Sequence, residues 1–200
     1  MELVETVEIG GRALVIARPA DPEALLDEDA FAHDEFLPYW ADLWPSGVAL
    51  ARRVASLPLA GSRILELGCG LGLPSLVASL AGGDVVATDW APEALELLTR
   101  NAERNGTTLT ASLADWRDPA ALPGGFELVL AADVLYEARN TDPLLATLGR
   151  TVAPAGRALV ADPGRRHAQP FLDAAQRDGW HVTTEVDELL PRGGISTLER

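Results

Sequence analysis

Apolar positions along the chain repeat with two different periods. Val4 to Ile9 and Arg12 to Ala17 alternate as strands do, and Gly10-Gly11 between them predicts a β-hairpin. The alternation then stops. Asp21, Glu23, Asp27, Glu28, Asp29, Asp34 and Glu35 make residues 21–35 an acidic, solvated helix or loop that could also steer a cationic partner. Phe36, Tyr39, Trp40 and Trp44 crowd the next nine residues. Pro45 and Ser46 open a helix whose Val48, Leu50, Ala51, Val54 and Leu57 recur at helical spacing.

From residue 63 strand and helix alternate. Strands are predicted over Arg63–Leu67, Asp84–Thr88, Thr107–Leu113, Phe126–Ala132 and Arg157–Ala161. Helices are predicted over Leu73–Ala81, Ala91–Asn105, Asp142–Val152 and Ala168–Asp178, with Pro92 in a first turn and Asn105-Gly106 and Gly179 as stops. His181–Leu189 and Ile195–Glu199 form a closing antiparallel pair, with the turn expected across Pro191-Arg192-Gly193-Gly194. This order predicts an α/β fold, a doubly wound, mostly parallel sheet covered on both faces, with an antiparallel C-terminal hairpin and a small N-terminal extension.

Composition narrows the possibilities. At 48% hydrophobic and 23% charged residues the 200-residue chain suits one folded domain. Its single Cys forbids an intrachain disulfide and suits a reducing compartment. No apolar run approaches the roughly 20 residues of a membrane span, and the acidic N-terminus lacks a signal pattern, so a cytoplasmic location is expected. Acidic side chains outnumber basic ones by 30 to 16, for a net charge of −14. Every basic residue is Arg; there is no Lys. That rules out Schiff-base chemistry and a P-loop lysine, and the acidity rules out a broad nucleic-acid-binding surface.

The most informative segment is Glu66-Leu67-Gly68-Cys69-Gly70-Leu71-Gly72, which leaves a strand and enters a helix. Glycines allow a ligand to approach the backbone, and the helix start offers free N–H groups. The dinucleotide fingerprint Gly-x-Gly-x-x-Gly would require glycine at 73, where Leu73 stands. The second strand ends in Asp89, able to accept two hydrogen bonds from a ribose diol; the third ends near Asp115-Trp116, an acceptor for an exocyclic amine beside a ring for an adenine face. Three successive strand ends therefore point to a nucleoside ligand. Cys69 reads as a small filler of the loop. His33, His167 and His181 lack metal-ligand spacing, and Arg165-Arg166-His167 reads as a solvated loop, with anion binding as its other reading.

On these motifs the chain resembles the class I, seven-β-strand S-adenosylmethionine-dependent methyltransferases over residues 63–200. The resemblance implies a Rossmann-like seven-stranded sheet, with Gly68, Gly70 and Gly72 as cofactor loop, Glu66 supporting it, Asp89 on the ribose, Asp115 and Trp116 on the adenine, and Trp44 and Ala132 also against S-adenosylmethionine. Residues 1–45 would form part of the pocket and 46–200 the cofactor-binding domain. Asp133-Val134-Leu135-Tyr136 looks like the Asp/Glu-x-x-Tyr signature of a lysine methyltransferase group in this fold. Tyr39-Trp40-Ala41-Asp42-Leu43-Trp44-Pro45 is similar to the segment before the cofactor domain there, particularly in the branch acting on the electron-transfer-flavoprotein β-subunit. Asp133 and Tyr136 are then the residues expected to orient an amine. The same residues also admit plainer readings, with Asp133 as a helix cap, Tyr136 as packing and Trp40 and Trp44 as core. The resemblance implies methylation of lysine in a protein partner, without nucleic acid or membrane. Two alternatives remain open, a small-molecule, nicotinamide-like N-methyltransferase and a non-catalytic cofactor-binding interaction protein.

Overall fold

The structure, a computed structural model, describes residues 1–22, 38–116, 118 and 122–200. Most of the acidic stretch, with Phe36 and His33, lies outside the described residues. Strands β1 (Glu2–Ile9) and β2 (Arg12–Pro19) form an antiparallel hairpin. Gly10 and Gly11 have φ of +58° and +77°, the two positive values a tight two-residue hairpin turn requires. The hairpin is tied to the domain by amides. On helix α3 (Pro92–Arg104), Asn101 Oδ1 accepts the Ala17 N–H at 2.9 Å and its Nδ2 donates to the Ala17 carbonyl at 3.0 Å. Asn105, just past the helix, repeats the pattern on Val15 at 2.8 and 2.9 Å.

The main sheet has seven strands: β3 (Arg63–Leu67), β4 (Asp84–Asp89), β5 (Thr110–Leu113), β6 (Phe126–Ala132), β7 (Val152–Asp162), β8 (His181–Asp187) and β9 (Leu190–Glu199). Their spatial order is β5-β4-β3-β6-β7-β9-β8, parallel from β5 to β7 and antiparallel beyond. Among the described residues the other α-helices are α1 (Pro45–Ala55), α2 (Leu73–Leu80), α4 (Thr141–Thr151) and α5 (Ala168–Arg177). Successive residues of the central strands enter opposite cores. Ile64, Leu128, Leu130 and Leu159 join the cluster that includes the hairpin's Leu14 and Ile16, while Leu65, Leu67, Val129 and Val160 join Phe126, Phe171 and Trp180. Burial on both faces explains why these strands read as continuous apolar runs. The chain winds outward from β3 to β5, then returns to β6 on β3's other side. The carboxyl ends of β3 and β6 therefore border the crevice where sheets of this type take ligands.

Three local expectations shift. The third strand begins at Thr110, not Thr107, and Pro154 to Gly156 continue within β7. The closing hairpin turns at Glu188-Leu189, where Asp187 Oδ1 accepts the Leu189 N–H at 2.8 Å, and Pro191 to Gly194 run inside β9. Gly193 serves close approach instead of a turn: a Cβ there would lie 2.0 Å from the Asp162 carbonyl oxygen. Among the described residues, no helix is long and apolar enough to cross a membrane.

The amide clamp gives a stability test. Asn101→Leu leaves the buried N–H and C=O of Ala17 without partners, so a loss of roughly 2–4 kcal/mol is expected, seen as a lower urea midpoint at unchanged slope. A loss below about 0.5 kcal/mol would show that the hairpin's docking does not rest on this side chain.

Candidate active site

The loop after β3 departs from strand geometry at alternate residues: Gly68, Gly70 and Gly72 have φ of +65°, +50° and +69°. Space is short as well. An added Cβ would lie 2.8 Å from the Trp116 ring at Gly68, 3.1 Å from the Trp40 carbonyl oxygen at Gly70 and 2.3 Å from Leu98 Cδ1 at Gly72. Only glycine satisfies both demands. Gly72 then caps the start of α2, and Cys69 is buried, its thiol pushed up by burial and by nearby Asp89 and Glu66.

Two carboxylates hold this loop. Glu66 Oε2 accepts the Ser75 N–H at 2.9 Å and also the Ser75 hydroxyl, tying β3 to the first turn of α2. Burial lifts its carboxyl to about 8, against the pull of the Ser75 bonds and with help from Asp89. Asp89, at the end of β4, accepts the Gly70 N–H at 2.8 Å on Oδ2 and the Ala91 N–H at 3.0 Å on Oδ1. Burial raises it too, while these backbone donors pull it down.

The other half of the site follows β6. Asp133 has φ +59°, a left-handed conformation that aspartate tolerates better than most residues. Its N–H donates to the Ala161 carbonyl at 2.9 Å, and Asn140 Nδ2 donates to the Val134 carbonyl at 2.9 Å, fixing the turn. The Asp133 side chain is 7% exposed; Arg165 Nε donates to its Oδ1, and Ser46 Oγ, from α1, lies 3.5 Å from Oδ2. Asp133 thus lines the cavity, and the helices that follow it are capped at Glu137 and Asn140 instead. The Tyr136 ring lies 5.2 Å from that of Tyr39, which lies 6.2 Å from Trp44. Trp44 Nε1 donates to the Tyr39 carbonyl at 2.7 Å, locking the aromatic entry to itself. Burial and Glu137 push the Tyr136 hydroxyl up.

A cavity of about 330 Å³ joins the two halves. Trp44, Glu66, Gly68, Gly70, Gly72, Asp89, Trp116, Ala132, Asp133 and Tyr136 all line it. Asp115 does not; its backbone carbonyl accepts the Asp118 N–H at 2.9 Å. The cradle lacking Cβ atoms, the carboxylate beside it and the Trp116 indole fit an adenosyl group, and the volume falls within the range of small-molecule sites. Sequence reasoning missed Arg165. Read as part of a solvated loop, it instead lines the cavity, pairs with Asp133 and lies 5.9 Å from the Trp44 ring. A signal was present: Arg165 follows Asp162 at the carboxyl end of β7, on the sheet edge that also carries Asp89 and Asp133.

Glu66 gives the site a pH signature. Its carboxyl ordinarily loses its proton near 4.5 and in the folded chain at about 8. Between those values the folded state binds more protons than the unfolded one, so Glu66's share of stability falls as pH rises through the window. Glu66→Gln keeps an acceptor for Ser75 and removes the titration. Its urea midpoint should gain on wild type as pH rises from about 4.5 to about 8 and run parallel above. A constant difference throughout would place the proton loss of Glu66 in the ordinary range.

Comparison with known proteins gives the family. The lysine methyltransferase family profile matches residues 40–178. The electron transfer flavoprotein beta subunit lysine methyltransferase of Xenopus laevis is 33% identical over 154 residues, covering 70% of this chain and 62% of that protein. The mouse (Mus musculus) EEF1A lysine methyltransferase 3 is 32% identical over 156 residues, covering 69% and 67%. The match thus spans less than two thirds of the Xenopus protein's own length, and 51% of the related zebrafish (Danio rerio) protein's. Among solved structures, the Thermus thermophilus 16S rRNA N2 G1207 methyltransferase in complex with AdoMet and guanosine superposes with a TM-score of 0.70 at 17% identity, covering 100% of this chain and 51% of that one. At that identity the superposition speaks for the fold. Carried by the sequence match across the aromatic entry, the glycine loop and the Asp133–Tyr136 turn, this chain belongs to the lysine methyltransferase family.

Proposed function

We propose that this protein transfers the methyl group of S-adenosylmethionine to the ε-amine of a lysine in a protein partner. The observation that carries the reading is the placement of the Asp133 carboxylate and the Tyr39, Trp44 and Tyr136 rings in one cavity with the glycine loop. Support for a macromolecular acceptor comes from Tyr39. It is 44% exposed at the aromatic end, so a long side chain can reach the interior past a ring that remains at the surface. The net charge of −14 suits a basic partner surface.

The cofactor supplies an electrophilic methyl on a good leaving group. The chain's contribution is positioning and exclusion of water. Gly68, Gly70 and Gly72 bring the backbone to the ligand, and Asp89 and Trp116 flank it. Asp133 orients the acceptor amine by hydrogen bonding, and the aromatic faces accommodate the methylated cation. A lysine ammonium has no lone pair, so it must lose a proton before attack; near its ordinary value of about 10.4 the pocket must favour the neutral form.

Radiolabelled methyl transfer into a cell lysate, followed by mass spectrometry of the labelled species, tests the class. Label on protein lysine is expected; label confined to small molecules would replace this reading with the small-molecule one. Asp133→Ala or Tyr136→Phe should lower turnover about 100-fold while cofactor affinity by calorimetry stays within about threefold. Equal loss of both would remove these residues from the acceptor end.

A further inference from the structure

Arg165 does what an acceptor lysine would do. Its Nε donates to Asp133 Oδ1, and its guanidinium carbon lies 5.9 Å from the centre of the Trp44 ring. A cation on that carboxylate and beside that ring reproduces the contacts the proposed acceptor amine requires. The loop that presents it is built. Asp162 Oδ1 accepts the N–H groups of Gly164 and Arg165, both at 2.7 Å, and Gly193 of β9 packs so closely that a Cβ would lie 2.5 Å from the Gly164 nitrogen. The backbone is therefore fixed, while the Arg165 side chain keeps 33% of its surface exposed and can leave by rotation alone.

We propose that Arg165 occupies the acceptor's cation seat on Asp133, as an internal stand-in that the substrate lysine displaces. The proposal rests on the reading of the site as an amine methyltransferase. Its logic is electrostatic. Asp133 is nearly buried, and a second buried carboxylate, Asp162, faces the same region with Oδ2 accepting no hydrogen bond among the described residues. Removing the guanidinium that bonds Asp133, with nothing in exchange, would leave its charge buried and unpaired. An incoming ammonium supplies the exchange, and it releases its proton to solvent before attack. Tyr39 and Ser46 face the pair, and Tyr136 packs against Tyr39.

Side-chain geometry supplies a test specific to this chain. In lysine, Nζ falls where arginine has its guanidinium carbon, one bond beyond the position of Nε. Arg165→Lys therefore places a tethered primary amine beside Asp133. The natural chain contains no lysine, so any methyl-lysine recovered from this variant can come only from position 165. In the transfer, the introduced amine releases a proton to solvent. Its lone pair then forms the N–CH₃ bond, and the sulfur keeps the electron pair of the broken S–CH₃ bond, leaving S-adenosylhomocysteine.

Incubated with S-adenosylmethionine, Arg165→Lys should gain one or more methyl mass increments at position 165, lost again when Asp133→Asn is added. Wild type run in parallel on lysate separates the two readings. Lysate label from wild type, with position 165 of the variant left unmethylated, would overturn the seat and leave the activity standing. No label in either would sink the activity and the seat together. Arg165→Ala gives an independent measurement against the labelled lysate protein once purified: a several-fold lower KM at similar kcat is expected. A lower kcat at unchanged KM would make Arg165 a permanent partner of Asp133 and overturn the proposal.

Discussion

The hydrogen bond from the Gly70 N–H to the Asp89 carboxylate is the contact on which the rest of the site depends. Three left-handed residues in five positions cannot continue either a strand or a helix, so the loop gives up the backbone pairing that both would provide. Backbone carbonyls still take two of its N–H groups, Cys69 to Thr88 at 2.9 Å and Gly72 to Cys69 at 2.7 Å, and side chains supply the rest. Asp89 arrives from the neighbouring strand, and Glu66 clasps the far end of the loop through Ser75. Both carboxyls are buried and shifted upward by that burial, so the loop's shape is held at an electrostatic cost. The register Leu67↔Thr88 between β3 and β4 puts Asp89 level with the start of the loop. Sheet order, strand length and loop conformation are thus one constraint seen at three scales.

The same reasoning runs through the second half of the cavity, with the opposite solution. Here a left-handed Asp133 turns the chain away from β6 and aims its carboxylate inward. Among the described residues, a guanidinium and a distant hydroxyl meet that carboxylate where backbone N–H groups meet Asp89. A carboxylate satisfied by backbone is fixed for good, whereas one satisfied by a side chain can exchange partners. The first arrangement suits a cofactor platform that keeps one shape, and the second suits a place where reactants come and go. Asp162 supports this second half by holding the loop that carries the guanidinium and by abutting Gly193 of β9.

How much of this was legible in the sequence follows from the range of the interactions. Phe126–Ala132 and Arg63–Leu67 were readable to the residue because burial on both faces writes an unbroken apolar run. Gly68, Gly70 and Gly72 were readable because their spacing after a strand has few other uses. Gly193-Gly194 was misread because a glycine pair signals a turn and a close approach equally, and only the packing of Asp162 against β9 distinguishes them. Asp115 shared its strand end with Trp116, but only the ring reaches the cavity. The pairing of Arg165 with Asp133 spans 32 residues and depends on β7 lying beside β6; no local pattern encodes it.

Composition takes on a meaning here that it lacked alone. A site that methylates neutral amines threatens any lysine of its own that can reach it, since a tethered amine competes at high effective concentration. Arginine supplies the same positive charge without that exposure: its guanidinium stays protonated throughout the physiological range, and the bond to Asp133 raises its hold on the proton further. On the proposed seat, a cation resting on the Asp133 carboxylate between turnovers must neutralise the charge and yet offer no lone pair. Among the ordinary side chains only arginine meets both conditions across the physiological range. Arg165 is that residue, and in a chain whose 16 basic residues are all arginine the requirement is met everywhere else by default.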